Sequence, residues 1–142
     1  MQIVTSLSFN GQCRQALEFC QSVLGGELRA FPYSDAPPGM PVDAKYDDWL
    51  MHGWLQIGDQ AIMGADMPSE FAPNIDKPKN GFDVSYHCTD AEEARRVHDA
   101  LSEGGTPRMP FGETFWSPGY GVFIDKFGIP WMVNTLPTEA PQ

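Results

Sequence analysis

Hydrophobic and polar residues alternate along several short stretches of the chain, a pattern typical of strands that bury one face. The first stretch, 3–9, places Ile3, Thr5, Leu7 and Phe9 on one side and polar residues on most of the other. The remaining predicted strands are 27–33, 50–57, 60–65, 82–88, 122–124 and 129–135. Because each is short and bounded by Gly, Pro, Asn or Asp, the pattern predicts sheets joined by turns.

Two stretches have helical spacing instead. Residues 12–24 place apolar side chains three and four positions apart, which predicts the first helix. A second apolar stripe with the same spacing follows Asp90 and predicts the second helix. Asp90 together with Glu93 predicts a helix start of the capping-box type. The glycine pairs that close the two helices begin at Gly25 and Gly104, an offset of 79 residues. The same offset superposes the first strand on 82–88. We therefore predict an internal duplication of two βαβββ modules.

The module boundaries follow from the proline-rich segments. The first module is predicted at 1–66, a linker at 67–80, the second module at 81–136 and a disordered tail at 137–142. The fold class is thus α+β, in a single domain of 142 residues made of two modules.

The stretch 113–134 holds the densest aromatic content. Trp116 and Tyr120 lie on a Gly- and Pro-rich loop, which suits a wall that stacks on a flat or apolar ligand, although Trp116 could equally face a dimer partner. Glu113 precedes them and is a candidate acid or base, or a residue that holds the loop. Asp125 is predicted to form the turn of the closing hairpin.

Charge and composition exclude several classes of partner. The net charge is −10 and the pI is about 4.5, so phosphate backbones and anionic membranes would be repelled. The three cysteines form no CxxC pair, and the N-terminus has no basic, apolar leader pattern. These observations predict a cytoplasmic protein with reduced thiols and no nucleic-acid or membrane partner.

Four blocks of sequence carry a family resemblance. They are LSFNGQCRQALEFC, LGGEL, MHGWLQIGDQAIMGADMP and ETFWSPGYGVFIDKFGIPWMVN, which together span most of the chain. The chain resembles the vicinal-oxygen-chelate superfamily, which includes glyoxalase I, extradiol dioxygenases and bleomycin-resistance proteins, and within it the PhnB-like branch. The resemblance implies tandem βαβββ modules forming a curved eight-stranded incomplete barrel (the glyoxalase/bleomycin-resistance fold) around a cleft, and a homodimer.

The resemblance also implies where a divalent metal would be held. Carried over by strand and glycine landmarks, the ligand positions are Val4, Met63, Asp83 and Met132. Valine has no donor atom. Thioethers are poor ligands for divalent ions that prefer carboxylate or imidazole groups. We therefore predict that the inherited metal site is absent and that no cofactor is bound.

Two functions remain open from the sequence. The first is binding of a small molecule in the cleft without the metal, with Trp54, Asp83, Trp116, Tyr120 and Met132 as ligand-binding candidates. The alternative is a lyase, isomerase or dioxygenase that uses a rebuilt metal site or an acid–base pair of His52 and Asp66. That pair is expected because the two residues lie at one end of a predicted hairpin, although both also suit purely structural roles at a strand end and a turn.

Overall fold

The computed structural model describes residues 1–40 and 42–137, which fold as two units, Met1–Lys77 and a second beginning at Pro78. The boundary between the units lies within the predicted linker 67–80. The first unit contains β1 (Thr5–Phe9), α1 (Cys13–Leu24), β2 (Glu27–Pro32), β3 (Leu50–Ile57) and β4 (Gln60–Asp66). The second contains β5 (Val84–Cys88), α2 (Ala91–Ser102), β6 (Thr106–Gly112), β7 (Tyr120–Ile124) and β8 (Pro130–Thr135).

Each unit has one four-stranded mixed sheet with the same connectivity. The order is β1-β4-β3-β2 in the first and β5-β8-β7-β6 in the second. In both, the first strand pairs in parallel with the last, and the other pairs are antiparallel. The registers also correspond, because Ser6 pairs with Met63 as Ser85 pairs with Met132. The predicted duplication of βαβββ modules is confirmed.

In the first unit, α1 packs on one face of the sheet. Its buried residues are Cys13, Ala16, Leu17, Cys20 and Val23. The sheet comes close beneath it at a glycine, since a Cβ added at Gly53 would lie 2.5 Å from Leu17 Cδ1. Leu7, Leu55 and other apolar strand residues complete this core. The helical spacing of apolar residues in the sequence thus identifies the face of α1 that packs on the sheet.

In the second unit, α2 packs in the same way through Ala94, Val97, His98 and Leu101. The corresponding close approach is at Gly121, where an added Cβ would lie 2.7 Å from His98 Cδ2. Phe123, Trp131 and Val133 lie on the helix-covered face of this sheet and are fully or almost fully buried. Trp131 is therefore a core residue.

Three local features differ from what the sequence pattern predicts, namely a loop without regular structure at 34–49, a proline-rich connection up to Gly112 and a capping box at Asp90 and Glu93. The proline-rich segment after α2 is not merely a connection: it forms strand β6, which tolerates Pro107 and Pro110 because it is an edge strand with register shifts at Pro107/Met109 and Met109/Gly112. The irregular loop after β2 contains two short 3₁₀ turns, Tyr33–Asp35 and Ala44–Tyr46. At the start of α2, Asp90 accepts a hydrogen bond from Glu92 N, whereas Glu93 bonds to Arg96 and does not complete a capping box.

The predicted tail 137–142 lies, apart from Pro137, outside the described residues. Within the described ranges, every helix is too short or too polar to cross a lipid bilayer.

Candidate functional site

Each sheet has one face covered by its own helix and an opposite face, here called the helix-free face. On the second sheet, two rows of side chains run across the strands of this face. The register aligns His87, Asn134 and Tyr120 in one row, and Ser85, Met132, Val122 and Met109 in the next. Neighbouring side chains in such rows are about 4.5–5.5 Å apart at Cβ, so each row forms a continuous surface.

An aromatic cluster stands beside this face. Phe115 and Trp116 form the tip of a turn in which Thr114 N donates to Ser117 O at 2.9 Å. The Trp116 ring meets Tyr120 edge-to-face at 5.4 Å between centroids, and Phe115 meets Trp116 at 4.6 Å in the same manner. Despite these contacts, Trp116 remains 51% exposed and Phe115 97% exposed. Large apolar rings held in water in this way commonly mark a binding surface.

Buried hydrogen bonds fix the turn that carries these rings. Ser117 is buried, and its Oγ lies 2.8 Å from Gly119 O and 3.1 Å from Thr135 O. Gly119 O also accepts from the Thr135 backbone N–H at 2.8 Å and from Thr135 Oγ1 at 2.9 Å. The loop is therefore tied to the end of β8, and the exposed rings are presented from a defined backbone.

Polar atoms on the same face come from His87 and Asn134. Asn134 Nδ2 lies 3.2 Å from His87 Nδ1. An amide nitrogen only donates, so a hydrogen bond in this orientation requires the ring nitrogen to accept. Asn134 Oδ1 is buried and has no hydrogen-bond partner among the described residues. The sequence did not identify this pair, because the two residues are 47 positions apart and meet only through the parallel β5–β8 register.

The helix-free face of the first sheet carries a second aromatic series. The His52 ring stacks on Phe31 at 6.2 Å with an interplanar angle of 26°, and it lies 6.3 Å from the Trp54 ring. Trp54 Nε1 donates to Gln56 Oε1 at 2.8 Å, which fixes the indole. Trp54 is thus a half-buried surface residue of this sheet and not a core residue.

The expected acid–base pair of His52 and Asp66 is not formed. In the β3–β4 register Gly53 pairs with Gly64, so Asp66 lies on the helix-covered face and His52 on the opposite face. The Asp66 carboxylate is 1% exposed. Oδ1 accepts from Gly11 N at 2.9 Å and Cys13 N at 3.0 Å, and Oδ2 accepts from Leu50 N at 2.9 Å. Asp66 therefore caps the start of α1 and holds the start of β3, which is a structural role.

Asp125 also has a structural role, in the second unit, where it holds the turn between β7 and β8. Its Oδ1 accepts from Phe127 N and Ile129 N at 2.8 and 3.0 Å, and its Oδ2 accepts from Trp131 Nε1 at 2.9 Å. Its predicted place in the hairpin turn is confirmed. Burial raises the pKa of this carboxyl, although the three N–H donors partly offset that effect.

The positions of the inherited metal ligands do not suit a divalent ion. Val4 and Asp83 come just before β1 and β5, and the residues paired with Met63 and Met132 are Ser6 and Ser85. Ser85 Oγ lies 3.8 Å from Met132 Sδ, a hydroxyl beside a thioether. Asp83 supplies the one carboxylate of this donor set and no member supplies an imidazole, whereas such ions prefer several ligands of these two kinds. Among residues 1–40 and 42–137, no three His, Cys, Asp or Glu side chains are grouped closely enough to hold a metal.

Of the other predicted site residues, Asp83 and Glu113 are exposed and Met132 is half-buried. Glu113 precedes the aromatic turn, Asp83 precedes β5, and neither carboxylate has a hydrogen-bond partner among the described residues. Met132 lies half-buried on the helix-free face of the second sheet, in the row next to Tyr120. The structure thus groups Trp116, Tyr120 and Met132 in one unit, together with the unpredicted His87 and Asn134.

Comparison with known proteins gives a consistent family relationship. The family model described as the glyoxalase/bleomycin resistance protein/dioxygenase superfamily matches residues 3–133. The protein YjdN of Escherichia coli is 32% identical over 150 residues, covering 100% of both chains. The crystal structure of protein PA1353 from Pseudomonas aeruginosa is 38% identical with a TM-score of 0.86, covering 96% of this chain and 98% of that one. A PhnB protein from Bacillus cereus shares the fold at 20% identity and a TM-score of 0.73, covering 95% of this chain and 99% of that one. The chain therefore belongs to the glyoxalase/bleomycin resistance protein/dioxygenase superfamily.

Proposed function

We propose that this protein binds a small, flat molecule against the helix-free face of its second sheet, without the superfamily metal. The observation that carries the proposal is the cluster of Trp116 and Tyr120 beside Met132, held by a hydrogen-bonded turn and still open to solvent. Aromatic and thioether side chains favour apolar ligands with a planar part, because such surfaces gain from stacking and from the removal of water.

Preorganisation supports binding at this position. The turn that carries Trp116 is bonded to β8 through Ser117 and Thr135, so little conformational entropy need be lost when a ligand docks. Trp116 and Tyr120 are already in edge-to-face contact, and the exposed face of the indole is available for stacking.

The proposal leaves out the superfamily metal because of the chemistry of the side chains at the inherited ligand positions. Val4, Met63 and Met132 offer no carboxylate or imidazole, and a single aspartate, Asp83, does not hold a divalent ion against water. The ligand is then held by shape, stacking and hydrogen bonds alone. Asp83 and the exposed Glu113 are secondary candidates for contact with this ligand, and Glu113 is also a candidate for proton transfer. Trp54 is a candidate for ligand contact on the first sheet, considered by itself.

A fragment screen by NMR tests the proposal. Uniformly ¹⁵N-labelled protein, treated with EDTA, is titrated with planar aromatic fragments while amide and indole cross-peaks are followed. We expect shifts at the Trp116 indole and along β7 and β8, and loss of those shifts in Trp116→Ala with little change in melting temperature. Phe71→Ala is the matched control, because Phe71 is also an exposed aromatic residue (58%) but lies in the first unit. Shifts confined to other regions, or a collapse of stability in Trp116→Ala, would refute the proposal.

We also propose that the protein is a homodimer, as the family resemblance implies. The nearly complete exposure of Phe115 supports a second role for the aromatic turn, as a contact between subunits. Light scattering of the wild type and of Phe115→Ser tests this: a dimer that becomes a monomer in the variant supports the contact, and a monomeric wild type excludes it.

A further inference from the structure

The hydrogen bond between Asn134 and His87 determines which imidazole nitrogen carries the proton. Asn134 Nδ2 is a donor only, so the His87 Nδ1 that lies 3.2 Å away must accept, and the proton of the neutral ring is then on Nε2. His87 is exposed on the helix-free face, so the Nε2–H group is presented to whatever lies on that face.

The orientation of the amide agrees with its surroundings. In the observed orientation of the amide, the Asn134 carbonyl oxygen is buried without a hydrogen-bond partner among the described residues. The reversed amide would instead bury two N–H donors, and unpaired buried donors are rarer in proteins than under-satisfied carbonyls. The Nε2–H form of His87 is therefore the consistent one.

The pair lies within reach of a ligand stacked on the aromatic cluster. Asn134 is the register partner of both His87 and Tyr120, so His87 and Tyr120 are two strands apart. Adjacent strands are separated by about 4.7–4.9 Å, which places these two residues roughly 10 Å apart at the backbone. A bicyclic aromatic ring with one short substituent spans that distance.

The charge of the surroundings limits the ligand further. Asp83 and Glu113 flank the sheet without partners, and the whole chain has a net charge of −10. An anionic ligand would be repelled, so the group that meets His87 is expected to be a neutral acceptor.

We propose that His87 is the polar anchor of the binding site, with Asn134 as its positioning residue, and that the ligand is an uncharged planar aromatic compound carrying a carbonyl-type acceptor. This inference rests on the function proposed above. The aromatic part stacks on Trp116 and Tyr120, and the carbonyl oxygen accepts from His87 Nε2–H. A ligand of the same shape without the acceptor leaves that donor unpaired and binds more weakly.

Two probes with the same arrangement of heavy atoms test the ligand class. 2-Acetylnaphthalene carries the acceptor, 2-isopropenylnaphthalene has a CH2 group in place of the carbonyl oxygen, and their affinities are compared by NMR titration at pH 8.5. We expect the ketone to bind about tenfold more tightly, the factor that one net hydrogen bond supplies. In His87→Ala this preference should vanish.

The variant Asn134→Asp tests the positioning role separately. A carboxylate only accepts, so in a neutral His87 ring Nδ1 must then carry the proton and Nε2 becomes an acceptor. The ¹⁵N chemical shifts of the His87 ring distinguish the two tautomers, and we expect Nε2–H in the wild type and Nδ1–H in the variant, with loss of the preference for the ketone. A merely structural Asn134 would leave the ligand preference unchanged.

The outcomes separate this inference from the proposed function. Equal affinity for both probes overturns the inference and leaves the proposed function standing. Binding of neither probe overturns both, and a wild-type ring protonated on Nδ1 overturns the role assigned to Asn134 even if the ketone is preferred.

Discussion

Substitution of Asp66 by alanine tests the assignment of this residue to structure instead of catalysis. Its carboxylate receives three backbone N–H groups, from Gly11, Cys13 and Leu50. The bonds to Cys13 and Leu50 are fully buried, whereas the bond to Gly11 is only partly buried. Asp66→Ala would therefore leave two donors without water or a protein partner.

The expected loss can be worked out from these bonds. A hydrogen bond to a charged group contributes about 1.5–3 kcal/mol, and the donors left behind keep their desolvation cost. Two such buried bonds give a loss of about 4 kcal/mol in the free energy of unfolding, with the Gly11 N–H able to rehydrate. With a urea m-value of about 2 kcal/mol/M, the unfolding midpoint should fall by about 2 M.

The assay is urea unfolding followed by tryptophan fluorescence and by far-UV circular dichroism. Asp59→Ala is the matched control, because Asp59 is an exposed aspartate in the turn of the same hairpin, and its change should stay within about 0.5 kcal/mol. A variant Asp66→Ala as stable as Asp59→Ala would refute the structural role and restore Asp66 as a candidate for chemistry.

Three other predictions follow from buried groups. Burial, reinforced by the negative charge of Asp66, raises the pKa of Cys13 to about 12, so at pH 8 a thiol reagent should label only Cys88 quickly in the folded protein and all three cysteines in urea. Gly121→Ala should lower the melting temperature by several degrees because the new Cβ meets the His98 ring at 2.7 Å, whereas Gly112→Ala, with nothing within 4 Å, should change it little. Burial raises the pKa of Asp125 in the folded state above the value of about 3.9 in the unfolded chain, so protonation of this carboxyl stabilises the fold. The stability of the wild type relative to Asp125→Asn should therefore fall as the pH rises from about 3.9 through the raised pKa. A relative stability that rises over this window would contradict the last prediction.

Much of the fold was predictable because local patterns coincide with the tertiary structure. The apolar positions of α1 and α2 are those that pack on the sheets, and the two glycines at an offset of 79 both have positive φ, 77° at Gly25 and 75° at Gly104. Strand β6 was missed because prolines normally interrupt a ladder, and only the position at a sheet edge makes them acceptable.

The candidate site was only partly predictable. The expected pairing of His52 with Asp66 overlooked the alternation of side chains between the two faces of a strand. The Gly58-Asp59 turn pairs Ile57 with Gln60, and the same register places His52 opposite Ala65. Asp66, the next residue along β4, therefore points to the other face of the sheet. The pairing of His87 with Asn134 depends on the parallel β5–β8 register, for which no local pattern in the sequence exists. The aromatic turn was identifiable because exposed Trp on a Gly- and Pro-rich loop is a local feature.

The most direct test of metal-free binding is the affinity of one planar aromatic probe before and after removal of metal. The Trp116 indole cross-peak is followed during titration with 2-acetylnaphthalene, first with EDTA-treated protein and then after addition of Zn²⁺, Ni²⁺, Mn²⁺ or Fe²⁺, each in turn. We predict a saturable shift of that cross-peak whose midpoint is the same in every case. Binding that appears only with a stoichiometric metal, or a probe that leaves the Trp116 cross-peak unmoved, would contradict this account.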